Sequence, residues 1–238
     1  MVLYDSETKK SNPIAFSYNK TAQAAYRYLA YRDIPWLISK YCTGDETVDY
    51  GAGTGISTEF LINLQLNVVG LDVSKEMLDQ AQRRLPKANF NVIENDVIPI
   101  PSNSVDLVFS GFVLFELNSK EKLINYLKEG ARVLKNTGVF IAVTGNEELY
   151  VKNWHGFSVN HKENKHLKSG GRAKITLREE NIDFFDFFWT LEDYEDVFRK
   201  ANLTILTTHF PLGQPNEGYD WKDEKTHAPF VIFVAKKS

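Results

Sequence analysis

Three glycines and an aspartate are the residues of this chain whose spacing most directly suggests chemistry. Gly51, Gly53 and Gly55 alternate with other residues after a short apolar stretch, and Asp49 stands two residues before the first of them. Glycine adopts positive φ readily and leaves no Cβ in the way of a ligand. The stretch 47–57 is therefore predicted to be a strand, a tight turn and the start of a helix, with free N–H groups available to a polar or anionic ligand.

The residues that follow the turn narrow the choice of ligand. Thr54, or Ser57 one turn later, is predicted to cap the helix. A dinucleotide-binding loop requires G-x-G-x-x-G, and Ile56 occupies the position of its third glycine. This substitution argues against a nucleotide-dependent oxidoreductase on a similar sheet.

A second apolar run, Val68 to Leu71, ends in Asp72. An acid at the end of the second strand is well placed to accept hydrogen bonds from both hydroxyl groups of a ribose. Together with Asp49, it suits a ligand that has a ribose and an amino-acid end but no pyrophosphate.

Five segments in this order resemble the class I S-adenosylmethionine-dependent methyltransferases: 48–55, 69–74 with 77–78, 95–97, 105–110, and 131–135 followed by 138–140. The resemblance covers roughly residues 45–145. It implies S-adenosyl-L-methionine as cofactor, S-adenosyl-L-homocysteine as product, and an α/β fold with a Rossmann-like doubly wound sheet. That sheet is expected to be mostly parallel, with an antiparallel last strand.

The chain is predicted to be one methyltransferase-like domain in four parts. These are an N-terminal tail and helical lid (1–44), a cofactor-binding core (45–145), a substrate-side insert with a β-hairpin after strand 5 (146–189), and a C-terminal helix with strands (190–238). Alternation of apolar runs and helical patterns supports this order. Strands are predicted at 46–50, 67–72, 89–94, 105–110, 138–144, 173–177, 182–189, 203–210 and 230–236, and helices at 55–65, 75–84, 119–134 and 191–202.

The resemblance assigns roles to the first half of the site. Asp49 would accept hydrogen bonds from the cofactor's ammonium group, directly or through water, although a carboxylate there could equally satisfy N–H groups of the turn. The backbone of the turn would approach the ligand closely, at Gly51, Ala52, Gly53 and Gly55.

Residues after the second and third strands complete the nucleoside side. Asp72 would bind the ribose hydroxyls, or serve as the cap of the next helix. Val73 and Met77 would pack on the adenine, or belong to the core. Asp96 would accept from the adenine amino group, with the Val97 N–H donating to the ring, or act as a turn aspartate.

The methionine end and the sulfonium involve two further positions. Ser110 ends the fourth strand beneath the sulfonium. Tyr18 stands in a Tyr-x-x-x-Ala context in the tyrosine-rich N-terminal segment, and it or Arg32 would reach the methionine carboxylate. The alternative is an amphipathic helix whose tyrosines are half buried against the sheet.

The sequence gives fewer indications of the methyl acceptor than of the cofactor. The Asn/Asp-Pro-Pro-Tyr signature of many amine methyltransferases is absent, because Ser110 is followed by Gly111, Phe112 and Val113. The catalytic residue stays unknown: His155 and His209 are the candidate bases, and each could be an ordinary loop or surface histidine. No histidines have metal-ligand spacing, so no metal site is expected.

The amino-acid composition limits the classes of partner that this protein is expected to bind. A net charge of −3 gives no general attraction to nucleic acid or membranes, and the lysine-rich cluster at 162–174 is typical of a solvated loop. The single cysteine, Cys42, and a polar start without an apolar signal core predict a cytoplasmic protein. Oligomeric state stays open.

A small, apolar or aromatic acceptor, methylated at oxygen, nitrogen or carbon, fits these exclusions best, recognised by the aromatic insert and the tyrosine-rich N-terminal segment. A second interpretation is a non-catalytic or repurposed S-adenosylmethionine-binding protein, because the resemblance concerns the cofactor far more than the acceptor.

Overall fold

A computed structural model describes residues 25–94, 97–178 and 181–238 of the chain. Its centre is a seven-stranded sheet in the order β3-β2-β1-β4-β5-β10-β9. The strands are β1 (Glu46–Tyr50), β2 (Asn67–Asp72), β3 (Asn89–Val92), β4 (Val105–Gly111), β5 (Leu134–Gly145), β9 (Leu203–His209) and β10 (Phe230–Lys237). The first five run parallel, and β10 is antiparallel to both β5 and β9. The predicted doubly wound sheet with an antiparallel end is confirmed.

Helices connect the parallel strands. They are α1 (Ala25–Tyr31), α2 (Ile34–Tyr41), α3 (Ile56–Asn63), α4 (Lys75–Arg84), α5 (Lys120–Val133) and α6 (Leu191–Lys200). The N-terminal helical segment is divided just before Pro35, and the proline lies in the first turn of α2, where its missing N–H costs nothing. Helix α6 begins with a capping box: the Thr190 hydroxyl accepts from the Asp193 N–H, and the Asp193 carboxylate accepts from the Thr190 N–H.

Apolar side chains cover both faces of the sheet, as a largely parallel sheet requires. One layer packs α5 and α6 against β4, β5 and β10, and includes Leu127 and Phe198. The other joins α1, α2 and the segment after β5 to the opposite face, and includes Leu37 and Trp154. The described residues include no helix with the length and apolarity needed to cross a membrane.

A second, antiparallel sheet forms after β5 from β6 (Phe157–Ser158), β7 (Arg172–Leu177) and β8 (Ile182–Phe187). The hairpin was predicted, although β8 in the structure ends two residues before its predicted end. Strand β6 was not predicted, because a strand of two residues gives no periodic signal in the sequence. Phe184 and Phe188 join the layer beneath α1, whereas Phe187 and Trp189 join the layer beneath α5 and α6. Both apolar faces of the second arm therefore contact this chain, where the sequence suggested that an external partner, a lid or a ligand would cover one of them.

Tyr126 of α5 ties together the tips of β1 and β4. Its hydroxyl donates to the Tyr50 carbonyl at 2.7 Å and lies 2.9 Å from the Ser110 hydroxyl. Its ring stacks on that of Tyr50, with centroids 3.8 Å apart and planes 6° apart. Burial raises the pKa of the Tyr126 phenol far above its ordinary value, so the hydroxyl stays a donor.

We expect Tyr126→Phe to lower the free energy of unfolding by about 1–3 kcal/mol, because the substitution removes a buried hydrogen bond to the Tyr50 carbonyl. Denaturant unfolding measures this change. Tyr41→Phe is the control, since that phenol lies at the sheet edge, and its effect should stay within about 0.5 kcal/mol. Equal midpoints for Tyr126→Phe and the wild type would contradict the structural role.

Candidate functional site

The glycine turn after β1 has the left-handed backbone that its sequence predicts. Gly51, Gly53 and Gly55 have φ of 85°, 53° and 80°. The N–H groups of Gly51 and of the buried Ala52 donate to the Leu71 carbonyl at 2.8 and 2.9 Å, which fastens the turn to β2.

The open side of this turn lies at its second glycine. A Cβ on Gly51 would overlap the Val113 side chain, and one on Gly55 would lie 3.0 Å from the Ala81 Cβ. A Cβ on Gly53 would meet only the Met77 terminal methyl, at 3.4 Å. The turn is therefore packed at both ends and accessible in the middle.

The predicted cap of the following helix is wrong. The cap residue of α3 is Gly55, without a side-chain hydrogen bond. The Ser57 hydroxyl instead donates to Asp49 Oδ2 at 2.7 Å, and the Thr58 hydroxyl donates to the same oxygen at 2.6 Å. Both hydroxyls therefore donate to the carboxylate at the end of β1, in hydrogen bonds that its charge strengthens. Thr58 was missed, since a threonine in a helix is ordinary in sequence.

Asp49 is fully buried at the end of β1. Its Oδ2 is occupied by the two hydroxyls, whereas its Oδ1 has no hydrogen-bond partner among the described residues. Burial raises the pKa of this carboxyl to about 6; the hydroxyls of Thr58 and Ser57 oppose the rise, and the charge of Asp72 adds to it. A buried carboxylate with one open oxygen is a site for a cationic donor.

Asp72 is oriented by the backbone. Its Oδ2 accepts the Gly53 N–H at 2.8 Å and its Oδ1 accepts the Ser74 N–H at 2.8 Å. The cap of α4 is Ser74, whose hydroxyl accepts from the Met77 N–H at 3.2 Å, so Asp72 does not fill that role. Each carboxylate oxygen has a second lone pair, so Asp72 can still accept two donors from a ligand.

The residues around Asp72 have distinct environments. Val73 and Val97 are 60% and 56% exposed, whereas Met77 is buried beside Gly53. The Val97 N–H donates to the Glu94 carbonyl at 3.1 Å, so in this structure it is not directed toward a ligand as predicted. Asp96 lies outside the described residues.

The side-chain contacts at the tip of β4 differ from those that the sequence predicted there. Ser110 is fully buried and its hydroxyl bonds with Tyr126, so only its backbone lies at the tip. Phe112, two residues on, has φ of 63° and donates its N–H to the Val143 carbonyl at 2.8 Å. A bulky residue with this backbone is uncommon and costs about 1–3 kcal/mol, which is typical of functional sites.

Tyr31 of α1 also reaches this tip and was not singled out from sequence. A Cβ on Gly111 would lie 2.5 Å from the Tyr31 hydroxyl oxygen. Burial raises the pKa of Tyr31, the charge of Asp49 adds to the rise, and the charge of Arg27 opposes it. Tyr31 therefore lies within the electrostatic reach of both ions.

Two N-terminal residues, Tyr18 and Arg32, were predicted to reach the methionine carboxylate, and the structure supports neither contact. Tyr18 lies outside the described residues. Arg32 forms an ion pair with Asp33 at 2.8 Å, pairs with Glu217, and donates to the Leu212 carbonyl at 3.0 Å. These bonds commit Arg32 to fastening α1 and α2 to the loop after β9. Arg27, with Nε and Nη2 buried, is the guanidinium that shares the neighbourhood of Tyr31.

The two candidate bases have other neighbours. His209 ends β9, which β5 and β10 separate from β4, a distance of about 14 Å across three strand spacings. Its Nε2 bonds with Asp33 at 2.7 Å. The His155 ring lies 6.0 Å from that of Trp221 and 6.4 Å from that of Tyr219. Within the described ranges, no group of three or more potential metal ligands comes together.

These features fit the predicted cofactor. The open, buried oxygen of Asp49 suits an ammonium group, the two oriented oxygens of Asp72 suit a ribose diol, and the exposed apolar groups of Val73 and Val97 suit an adenine ring. The three sets follow the carboxyl ends of neighbouring strands, beside the point between β1 and β4 where strand order reverses, which is where such sheets bind ligands.

Comparison with known proteins agrees with this geometry. A family model described as a methyltransferase domain matches residues 48–142. An uncharacterized protein of Methanocaldococcus jannaschii is 29% identical over 233 residues, covering 94% of this chain and 88% of that protein. The demethylmenaquinone methyltransferase of Tropheryma whipplei is 34% identical over 98 residues, which is 40% of this chain and 39% of the relative.

The fold has solved counterparts. The crystal structure of an S-adenosylmethionine-dependent methyltransferase from Clostridium acetobutylicum superposes with a TM-score of 0.66 at 18% identity, covering 94% of this chain and 98% of that one. The likeness at this identity concerns the fold, while the family model spans the segment from β1 into β5 that carries Asp49, the glycine turn and Asp72. The match over residues 48–142, together with the fold, supports a class I S-adenosylmethionine-dependent methyltransferase whose cofactor is S-adenosylmethionine.

Proposed function

We propose that this enzyme transfers the methyl group to a small, uncharged molecule with an apolar or aromatic body. The observation that carries the proposal is the concentration of rings at the tip of β4. The Phe112 ring lies 5.8 Å from that of Tyr31, 6.1 Å from that of Phe115 and 5.2 Å from that of Phe230. An apolar acceptor is stabilised there by burial, whereas an anionic one loses hydration without gaining a cationic partner from these rings.

The cofactor is held, in this proposal, by groups at or after the ends of three strands and on helices α1 and α4. Asp49 Oδ1 accepts from the ammonium group, and the Arg27 guanidinium pairs with the carboxylate of the same amino acid. Asp72 accepts from the ribose hydroxyls. Val73, Val97 and Met77 form the apolar surroundings of the adenine. The charges of Asp49 and Arg27 both affect the pKa of Tyr31, in opposite directions. A carboxylate and a guanidinium near one another match the zwitterionic end of an amino acid.

The bound cofactor supplies an electrophilic methyl group on a sulfonium. The protein contributes mainly by positioning and by excluding water, since methyl transfer is an in-line displacement with a good leaving group. Rings around the β4 tip orient the acceptor and keep water away. Because His155 and His209 lie in other clusters, we infer that catalysis does not depend on either imidazole.

Nucleic acid is not expected as a substrate. The lysine-rich segment of the insert is partly engaged within the insert itself: Lys174 pairs with Asp183 at 2.8 Å and Arg172 stacks over Phe185, 4.4 Å from the ring centre. The relative from Tropheryma whipplei, named for demethylmenaquinone, supports methylation of a small molecule as a class, and the 40% of this chain that it matches does not identify the acceptor.

Transfer of a labelled methyl group into a metabolite extract tests the acceptor class. We expect label in a small, organic-extractable product, and none in nucleic acid or protein fractions. Label confined to macromolecules would contradict the proposal. A boiled-enzyme sample separates catalysis from spontaneous methylation.

We expect Asp72→Ala to weaken binding of S-adenosylhomocysteine by about 10- to 100-fold, because hydrogen bonds to a charged acceptor contribute about 1.5–3 kcal/mol. Isothermal titration calorimetry measures the change. The matched control is Asp79→Ala on the exposed face of α4, where the carboxylate pairs only with Lys75. Equal affinities of Asp72→Ala and the wild type would show that the ribose is bound elsewhere.

Cofactor affinity should depend on pH through Asp49. The free protein protonates this carboxyl below about pH 6, and a neutral acid does not attract the ammonium group. We expect affinity to be constant above about pH 7 and to fall by up to tenfold per pH unit below pH 6. Asp49→Asn should bind weakly at every pH, with no slope.

The hydroxyl groups on Asp49 offer a second check on this pH dependence. Thr58→Val removes a hydrogen bond that lowers the pKa of Asp49, so the midpoint should move to higher pH. Thr47→Val is the control, because the Thr47 hydroxyl donates to the Asp45 carbonyl instead.

The unliganded protein should itself lose stability as pH rises from about 4 to 6, since the folded state holds the proton of Asp49 more tightly than the unfolded chain does. A binding profile that is flat between pH 5 and 7.5 would exclude Asp49 as the ammonium partner.

A further inference from the structure

The place of the sulfur atom follows from the two aspartates. In the cofactor, sulfur joins the ribose-bearing carbon to the amino-acid side chain. If Asp72 binds the ribose and Asp49 the ammonium group, as proposed above, sulfur lies between them, over the glycine turn. Asp72 contacts that turn directly through the Gly53 N–H.

The segment after β4 borders this position. The Val113 side chain occupies the space that a Cβ on Gly51 would fill, so Val113 touches the turn and Phe112 is its chain neighbour. The left-handed backbone of Phe112, fixed by its bond to the Val143 carbonyl, holds the ring at the β4 tip, where it stays half buried.

Tyr31 is buried and supports the Phe112 ring. The two rings are stacked, with planes 24° apart, and the Tyr31 hydroxyl lies against Gly111. Phe60 and Phe109 support Tyr31 from behind, with ring centres 5.1 and 5.7 Å away. Because the pKa of Tyr31 is raised, its phenol stays neutral, so it presents a ring rather than a nucleophilic phenolate.

A sulfonium requires an unusual partner. A carboxylate beside it would stabilise the charge, but its oxygen could also accept the methyl group. The face of an aromatic ring attracts a cation through its quadrupole and has no lone pair that competes with the acceptor. Rings at this position can thus stabilise the charge without consuming the methyl group.

We propose that the Phe112 ring, backed by Tyr31, forms a sulfonium-binding surface, which lets the enzyme prefer the positively charged cofactor to its neutral product. The inference rests on the cofactor contacts proposed above and goes beyond them, because it assigns the discrimination between the two ligands to these rings. Loss of the methyl group removes the charge, weakens this contact and favours product release.

The test is the ratio of two dissociation constants, for S-adenosylhomocysteine and S-adenosylmethionine, measured by calorimetry at pH 7.5. We expect Phe112→Leu, which keeps an apolar side chain but removes the ring, to lower this preference for S-adenosylmethionine by about 2- to 30-fold. Phe112→Tyr should preserve it. Phe185→Leu, the same change in the insert, should leave it unchanged, and thermal unfolding verifies that each variant is folded.

The outcomes separate this inference from the proposed contacts. If both ligands bind Phe112→Leu with the wild-type ratio, the rings do not recognise the sulfonium and the inference fails, while Asp49 and Asp72 keep their assignments. If Asp49→Asn and Asp72→Ala bind both ligands as the wild type does, the proposed contacts fail, and the inference fails with them.

Discussion

The burial of a single carboxylate organises this site. Asp49 has no access to solvent, gives one oxygen to two hydroxyls of α3, and leaves the other without a partner in the described structure. Removing an acid from water is unfavourable unless a donor is present, and the raised pKa reports that cost. In the proposed binding mode, the ammonium group of the cofactor donates to the open oxygen and so removes this unfavourable feature of the free protein.

The fold places everything else relative to that acid. Parallel pairing aligns the tips of β2, β1 and β4, so that Asp72, Asp49 and Phe112 follow one another along a single rim. Tyr126 holds the last two tips together from behind. Helix α1 approaches from the other side and adds Tyr31 and an arginine. In the proposed binding mode, three neighbouring strand ends therefore hold the ribose, the amino acid and the methyl group, and methyl transfer takes place at the end of β4.

Much of this arrangement could be predicted from the sequence, because strand and helix periods, the glycine turn and the two acids are local signals. Strands β1, β2 and β4 and helix α4 lie where predicted to within a residue. The roles of Thr58, Tyr31 and Tyr126 could not be predicted, since each depends on a contact between segments far apart in the chain. Ser110 was correctly predicted to lie at a strand tip. Its hydroxyl, however, forms a hydrogen bond with Tyr126 of α5, which the sequence did not indicate. The proposed acceptor site is hardest to predict, as rings from three separate segments form it.

The most direct test is a carboxyl-carbon NMR titration of Asp49, assigned by comparison with Asp49→Asn, in the free protein and with S-adenosylhomocysteine bound. The account predicts a pKa of about 6 in the free protein and a clear decrease on binding, as the ammonium group stabilises the carboxylate. A titration curve that binding leaves unchanged would contradict it, because the buried acid would then have no part in holding the cofactor.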